Sequence, residues 1–200
     1  LTLIHLDAHH DANISKLLGL PKNLKDLDSP GFVSYSEAGW LFPLVYYGII
    51  AKDILWVIPN HLKKDSRYYL DRYIVSYIKN GKEEFRLIKA GSEEIFAKEL
   101  ERRGIPQESR VLAKIHCLYL EELPQFETGT TQVLSIDLDA YLTLEGVDWL
   151  WKDIFYGLKQ DKEIKAILKA RIKDSLGVLY KKGIIPFKVF LADSPDFIPL

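Results

Sequence analysis

One segment near the start of the chain combines two carboxylates and an imidazole in a pattern that could bind a metal ion. The segment is Asp7–Asp11, with the sequence DAHHD, and it follows an apolar run over Leu1–Leu6 that is typical of a buried strand. If the backbone stays extended, alternation places Asp7, His9 and Asp11 on one side of the strand. Two carboxylates and an imidazole are ligands that Mn²⁺ and related divalent cations accept.

A second acidic segment lies far along the chain, after another apolar run. The run Gln132–Ile136 leads into Asp137–Asp139, with the sequence DLD, so its two acids also share a side. If both runs are neighbouring strands, four carboxylates would meet in a small volume, and like charges so close require compensation. Neither Leu1–Ser15 nor Gln132–Leu144 contains Lys or Arg, whereas two divalent cations would neutralise the set. Such a pair of cations can activate water and polarise a carbonyl or amidine carbon, which predicts metal-assisted hydrolysis.

The rest of the chain predicts the elements that would position these acids. Short apolar runs alternate with helical patterns, which indicates a mainly parallel sheet covered on both faces, a three-layer α/β/α fold. In such sheets ligands bind beyond the carboxyl ends of the strands, where both acidic segments fall. The predicted strands are Leu1–Leu6, Ile54–Ile58, Phe85–Ile88, Val111–Leu120, Gln132–Asp137 and Phe187–Ala192. The predicted helices are Ser34–Ile50, Ser66–Lys79, Ser92–Arg103, Val147–Leu158 and Asp161–Lys182.

Composition limits the classes of protein to which this chain can belong. The sequence has 200 residues, 48% hydrophobic and 28% charged, which is enough for a single α/β domain over residues 1–200. Its net charge of −1 provides no global field that would recruit nucleic acid or an anionic membrane. No apolar stretch reaches the roughly 18 residues that a membrane-spanning helix needs. We therefore expect a small-molecule substrate as partner, and the sequence is compatible with an oligomer.

Two residue counts bear on the cellular setting and on the completeness of the chain. The single cysteine, Cys117, excludes an internal disulfide and favours a reducing, cytoplasmic compartment. The sequence contains no methionine and begins at Leu1, so we expect that residue 1 is not the translation start. Either a preceding N-terminal segment or the loss of modified residues would explain this, and a preceding segment could carry further metal ligands.

The two acidic segments resemble motifs of the ureohydrolase family, which contains arginases and agmatinases. The segment Asp7–Asn13 is similar to the D-A-H-x-D-x-N motif of that family, and Ser135–Asp139 is similar to its S-x-D-x-D motif. The wider superfamily includes the histone-deacetylase-like amidohydrolases, whose D-x-H-H element Asp7–His10 also resembles. The resemblance implies an arginase/deacetylase-like fold and a metal-dependent hydrolase of C–N bonds, of the guanidino or the amide/acyl-amine type.

The resemblance also implies roles for the individual acids and the histidine. Asp7 and Asp137 would bridge two divalent metal ions and hold a metal-bound hydroxide between them. His9 and Asp139 would complete one metal site, and Asp11 would serve the other. Mn²⁺ is the expected metal, with Zn²⁺ and Fe²⁺ as alternatives.

Three further residues are candidates for the site, and one of them, Glu37, is suggested by its surroundings in the sequence rather than by a family motif. Asn13 matches a position that contacts the substrate's carboxylate in arginases. Glu37 stands in an aromatic, apolar segment, where it either places a favourable charge at the start of a helix or meets a cationic substrate. The family also has a histidine ligand before the D-A-H motif, and His5, on the same side of the strand as Asp7, is a candidate to replace it.

Two other functions remain open from the sequence. Residues 136–142, IDLDAYL, are similar to the D-x-D motif of haloacid-dehalogenase-type phosphatases, in which Asp137 would be the nucleophile and Asp139 the acid/base. Leu191–Asp196 would then resemble their acidic metal motif. The third reading is a catalytically degenerate member of the arginase fold that only binds a ligand or partner.

Overall fold

The chain forms an α/β fold, so the class predicted from the sequence is confirmed. A computed structural model describes residues 2–7, 12, 14, 40–60, 70–127, 131–137, 141 and 162–192. The strands in these ranges are β1 (Thr2–Leu6), β2 (Asp53–Ile58), β3 (Arg72–Lys79), β4 (Lys82–Lys89), β5 (Arg110–Tyr119), β6 (Gln132–Asp137) and β7 (Lys188–Ala192). The helices there are α1 (Leu41–Tyr46), α2 (Glu93–Arg102) and α3 (Lys162–Lys181), and a 3₁₀ turn spans Leu120–Glu122.

The strands form a mixed sheet in the order β4-β3-β5-β2-β1-β6-β7. Strand β6 pairs in parallel with β1 and with β7, whereas β3 pairs antiparallel with β4 and with β5. The described chain divides into two compact units. Unit 1 comprises Leu1–Ala8, Leu55–Tyr69 and Cys117–Leu200, and unit 2 comprises His9–Ile54 and Leu70–His116.

In unit 1, one face of β1 and β6 packs into a hydrophobic core to which α3 contributes. This core consists of Ile4, Leu6, Val57, Leu120, Leu123, Leu134, Ile136, Tyr141, Leu179 and Ile184. Helix α3 lies between β6 and β7 in the chain, which is the type of crossover that parallel neighbours require. Every residue of β6 is buried, as expected of a strand covered on both faces.

In unit 2, strands β3 and β4 form a hairpin around the two-residue turn Asn80-Gly81. Both turn residues have positive φ angles, +52° and +72°, which is the conformation of a tight hairpin turn whose twist matches that of the flanking strands. Lys79 lies opposite Lys82 at the end of the register. Antiparallel pairing therefore replaces the parallel arrangement predicted for this part of the sheet.

The predicted helix Ser66–Lys79 is wrong over residues 72–79, which form β3. The segment is rich in aromatic and β-branched residues, and alternate ones lie in one core cluster, as a strand requires. The residues of that cluster are Tyr73, Val75, Tyr77, Ile88, Ala90, Phe96, Leu100 and Ile105. The Asn-Gly pair that suggested the end of a helix is the connection of the hairpin.

Helix α2 is confirmed, and its ends follow the predicted signals. Ser92 caps it, because its Oγ accepts a hydrogen bond from the Ile95 amide at 3.3 Å. Acidic residues occupy its first turn and Arg102 its last, in agreement with the helix dipole. Phe96 packs its ring against Tyr73 with centroids 4.1 Å apart, which attaches the helix to β3.

Two predicted helices fall partly or wholly outside the described residues. The described part of the Ser34–Ile50 prediction contains the short helix α1. This helix ends just before Gly48, whose positive φ angle of +67° does not continue a right-handed helix. The Val147–Leu158 prediction lies outside the described residues. Within the described ranges, no helix has the length and apolar character needed to cross a membrane.

Candidate active site

The carboxyl ends of β1 and β6 lie side by side in unit 1. The last pair in their parallel register is Leu6 opposite Ile136. Asp7 directly follows this pair on one strand, and Asp137 follows it as the last residue of the other. Adjacent strands are about 4.8 Å apart, so the first acids of the two motifs are neighbours at one edge of the sheet.

A buried polar face precedes this edge. Register partners and alternate residues share one face of a parallel sheet, and His5 lies opposite Ser135, two positions before Asp7 and Asp137. The exposed fractions of these four residues, in chain order, are 1%, 0%, 4% and 8%. The intervening residues of both strands belong to the hydrophobic core instead. Because burying polar groups costs free energy, four of them on one face favour a functional role over simple packing.

His5 and Asp7 are in direct contact within this face. The Nε2 atom of His5 lies 3.1 Å from the Oδ2 atom of Asp7. The two residues are separated by about 6.6 Å along an extended strand, so a contact this short requires both side chains to lean towards each other. The contact joins the candidate histidine of the sequence to the first predicted metal ligand.

Residues of strand β2 form hydrogen bonds with both backbone groups of Asp7, its amide and its carbonyl. The Asp7 amide donates to the Val57 carbonyl at 3.1 Å. The Asp7 carbonyl accepts from the indole Nε1 of buried Trp56 at 3.0 Å. The position of this carboxylate is therefore determined by β2 as well as by β1.

Helix α3 anchors Tyr141, which lies two residues after the end of the second motif. The carbonyl of Tyr141 accepts a hydrogen bond from Arg171 Nη1 at 2.8 Å. Burial raises the pKa of the Tyr141 phenol to about 12, against a smaller opposing effect of the neighbouring Ser175 side chain. The phenol is thus neutral at ordinary pH.

The structure leaves five of the predicted site residues outside its described ranges. These residues are His9, Asp11, Asn13, Glu37 and Asp139. Among the residues it does describe, no three His, Cys, Asp or Glu side chains are arranged to hold a metal ion. Asp7 and Asp137 fit part of such a site, because buried carboxylate oxygens are the donors that Mn²⁺ prefers. A complete site would need donors from the remaining predicted ligands.

The contributions of Trp56 and Tyr141 were not predicted from the sequence. Trp56 stands in the middle of a strand that was predicted correctly, and a buried indole N–H needs an acceptor. That requirement indicates a partner for Trp56, although it does not identify Asp7. For Tyr141 the sequence offers no comparable signal, because its partner Arg171 comes from a distant helix.

A second cluster of ionisable side chains, in unit 2, consists of groups that pair with one another. Lys114 Nζ lies 3.1 Å from Glu93 and 3.5 Å from Asp71, and the Tyr73 hydroxyl donates to Glu93 at 3.0 Å. Burial alone would lower the pKa of Lys114, but hydrogen bonds with Tyr73 and Glu93 raise it overall. The hydrogen bond from Lys114 is the main cause of the lowered pKa of Glu93. Opposite charges are already matched here, so we assign no chemistry to this cluster.

Comparison with known proteins adds no assignment. No protein-family model matches this sequence, and a search of curated proteins finds no significant match. The two acidic motifs and the geometry of β1 and β6 are therefore the observations from which a function can be proposed.

Proposed function

We propose that this protein is a metal-dependent hydrolase of C–N bonds on an arginase/deacetylase-like, three-layer fold. The observation that supports the proposal most is the parallel register of β1 and β6, because it makes Asp7 and Asp137 neighbours at the carboxyl ends of two strands. Ligands of open α/β sheets bind at such ends. A cytoplasmic location, suggested by the single cysteine, belongs to the same proposal.

Asp7 and Asp137 would hold two divalent cations, Mn²⁺ by preference, together with His9, Asp11 and Asp139. When bound, the cations would supply Lewis-acid chemistry that activates water and polarises the carbonyl or amidine carbon of the substrate. The protein's own contribution is to keep both carboxylates out of bulk water. In the interior, their interaction with a cation is stronger than it would be in water. The contacts with β2 hold Asp7 in place.

The substrate in this proposal is a small guanidino compound or an acylated amine. Asn13 would contact a polar group of the substrate, and Glu37 would meet its positive charge. An assay for urea or free amine released from guanidino compounds and acylated polyamines tests this reaction class directly.

Metal analysis tests the proposal before any substrate is known. After reconstitution with Mn²⁺ and removal of excess metal, we expect two equivalents per chain in the natural protein. Asp7→Asn and Asp137→Asn keep the shape of the side chain and should lose bound metal. The matched control is Asp174→Asn, which changes an exposed carboxylate on α3 and should retain both equivalents.

Two results would contradict the proposal in different ways. Absence of bound metal in the natural protein after reconstitution would favour the degenerate, ligand-binding alternative. Covalent trapping by beryllium fluoride at Asp137, lost in Asp137→Asn but kept in Asp7→Asn, would favour the phosphatase alternative.

A further inference from the structure

The third contact of Asp7 concerns its side chain rather than its backbone. The amide and the carbonyl of Asp7 bond to β2, and its Oδ2 atom lies 3.1 Å from His5 Nε2. Three independent contacts therefore reach the amide, the carbonyl and the carboxylate of one residue. Such convergence is typical of a side chain whose orientation matters for function.

The depth of His5 in the sheet indicates which role it has. Its Cα lies about 6.6 Å before that of Asp7 along β1, away from the carboxyl edge of the sheet. Its register partner is Ser135, and both residues are buried. A ligand that enters at the strand ends would meet Asp7 first, and His5 contacts that carboxylate from the interior side.

The atoms in contact suit a positioning role. A carboxylate oxygen is attracted to the positive end of an N–H group, which an imidazole protonated at Nε2 supplies. The separation of 3.1 Å is that of a close ion-pair contact, but the two atoms are not aligned as a hydrogen bond, so the attraction between them is electrostatic. Residues that orient a metal-binding side chain in this way commonly change metal affinity about 10- to 100-fold when they are replaced.

We propose that His5 is a positioning residue, which orients the Asp7 carboxylate, through the Nε2–Oδ2 contact, for the cation that this carboxylate would hold. This inference rests on the proposed function, because it assigns His5 a task in the same metal site. It differs from the expectation that His5 replaces a histidine ligand, since here the imidazole does not bind the metal.

Two near-isosteric variants separate these roles. The amide nitrogen of Gln can reach the place of Nε2, whereas that of Asn reaches only the place of Nδ1. We expect His5→Gln to keep the Mn²⁺ affinity within about 3-fold of the natural protein, and His5→Asn and His5→Leu to lose about 10- to 100-fold. Isothermal titration calorimetry measures the affinities, and circular dichroism of the metal-free proteins establishes that each variant is folded.

His116→Leu is the matched control, because it removes another imidazole that lies near a carboxylate. His116 Nε2 is 3.4 Å from Asp53 Oδ1, but this pair is in unit 2 and partly exposed. Its Mn²⁺ affinity should equal that of the natural protein. Spin-echo spectra of the bound metal should show the same imidazole nitrogen coupling in His5→Gln as in the natural protein.

The outcomes distinguish the failure of this inference from that of the proposed function. If the natural protein binds no Mn²⁺, the proposed function fails, and the role of His5 fails with it. If it binds Mn²⁺ and His5→Leu and His5→Asn bind equally well, only the positioning role is overturned. If His5→Gln loses both affinity and a nitrogen coupling, His5 is a ligand, and the positioning role is again overturned. If His5→Leu does not fold, the difference between His5→Gln and His5→Asn decides.

Discussion

The two compact units place their ionisable side chains in different environments. Unit 1 buries His5, Asp7 and Asp137 on one face at the ends of two strands. In unit 2, many of the described charged groups form ion pairs at the surface, such as Lys98 with Glu94 and Arg102 with Glu99. Its buried exception, Arg72, donates to a backbone carbonyl of Leu70.

The cost of these two arrangements in folding free energy differs. Surface ion pairs contribute little to folding and cost little. A buried carboxylate costs several kcal/mol unless its surroundings compensate for it. Neighbouring buried acids are therefore expected where a bound cation completes the structure, and rules of stable packing are commonly violated at functional sites.

The largest effect that this comparison predicts is on the stability of the metal-free protein. Asp137→Asn removes the repulsion between Asp7 and Asp137, so we expect the free energy of unfolding in EDTA to rise by about 1–2 kcal/mol. Glu93→Gln instead removes an attraction to Lys114 and should lower the free energy of unfolding slightly. Urea denaturation followed by circular dichroism measures both changes. A loss of stability in Asp137→Asn would show that this charge supports the fold, and the contrast between the units would disappear.

A smaller effect is expected from two tyrosine hydroxyls, one in each unit. Tyr141→Phe removes the electrostatic interaction of a buried hydroxyl with Ser175 and should lower the free energy of unfolding by about 1 kcal/mol. Tyr73→Phe removes a bond to Glu93, which has water as an alternative partner, and should cost less than about 0.5 kcal/mol. Parallel urea titrations compare the two variants. Equal losses would contradict the expected difference between the two units.

The smallest effect concerns the pH dependence of an ion-pair cluster at the surface of α2. Hydrogen bonds from Arg102, followed by those from Arg103, lower the pKa of Glu99 to about 2. Because this value is below that of the unfolded chain, the contribution to stability is complete above about pH 4.5 and is lost as the pH falls towards 2. Glu99→Gln should therefore melt slightly below the natural protein at pH 7, and the difference should vanish near pH 2. Melting curves across this range, repeated in 1 M salt, check the effect, and a difference that grows towards low pH would reverse the assigned sign.

Several elements could be predicted from local sequence because their signals are local. The apolar run of β6 and the Ser cap with amphipathic turns of α2 specify their own conformations, and both elements have nearly the predicted bounds. Strand β3 could not be predicted as readily, since its mixture of tyrosines and charges fits a helix face as well as a strand. Pairing with β4 and β5, and the turn at Asn80-Gly81, select the strand.

The sequence by itself determined that each of two apolar runs ends in acids spaced two residues apart. Such acids share one side of an extended strand, because alternation along a strand is a property of the backbone alone. Only the tertiary structure decided that Leu6 lies opposite Ile136, so that Asp7 becomes the neighbour of Asp137. It also decided that His5 and Trp56 contact Asp7. The pairing of segments so far apart depends on chain closure and on packing across the whole sheet, and no local pattern contains that information.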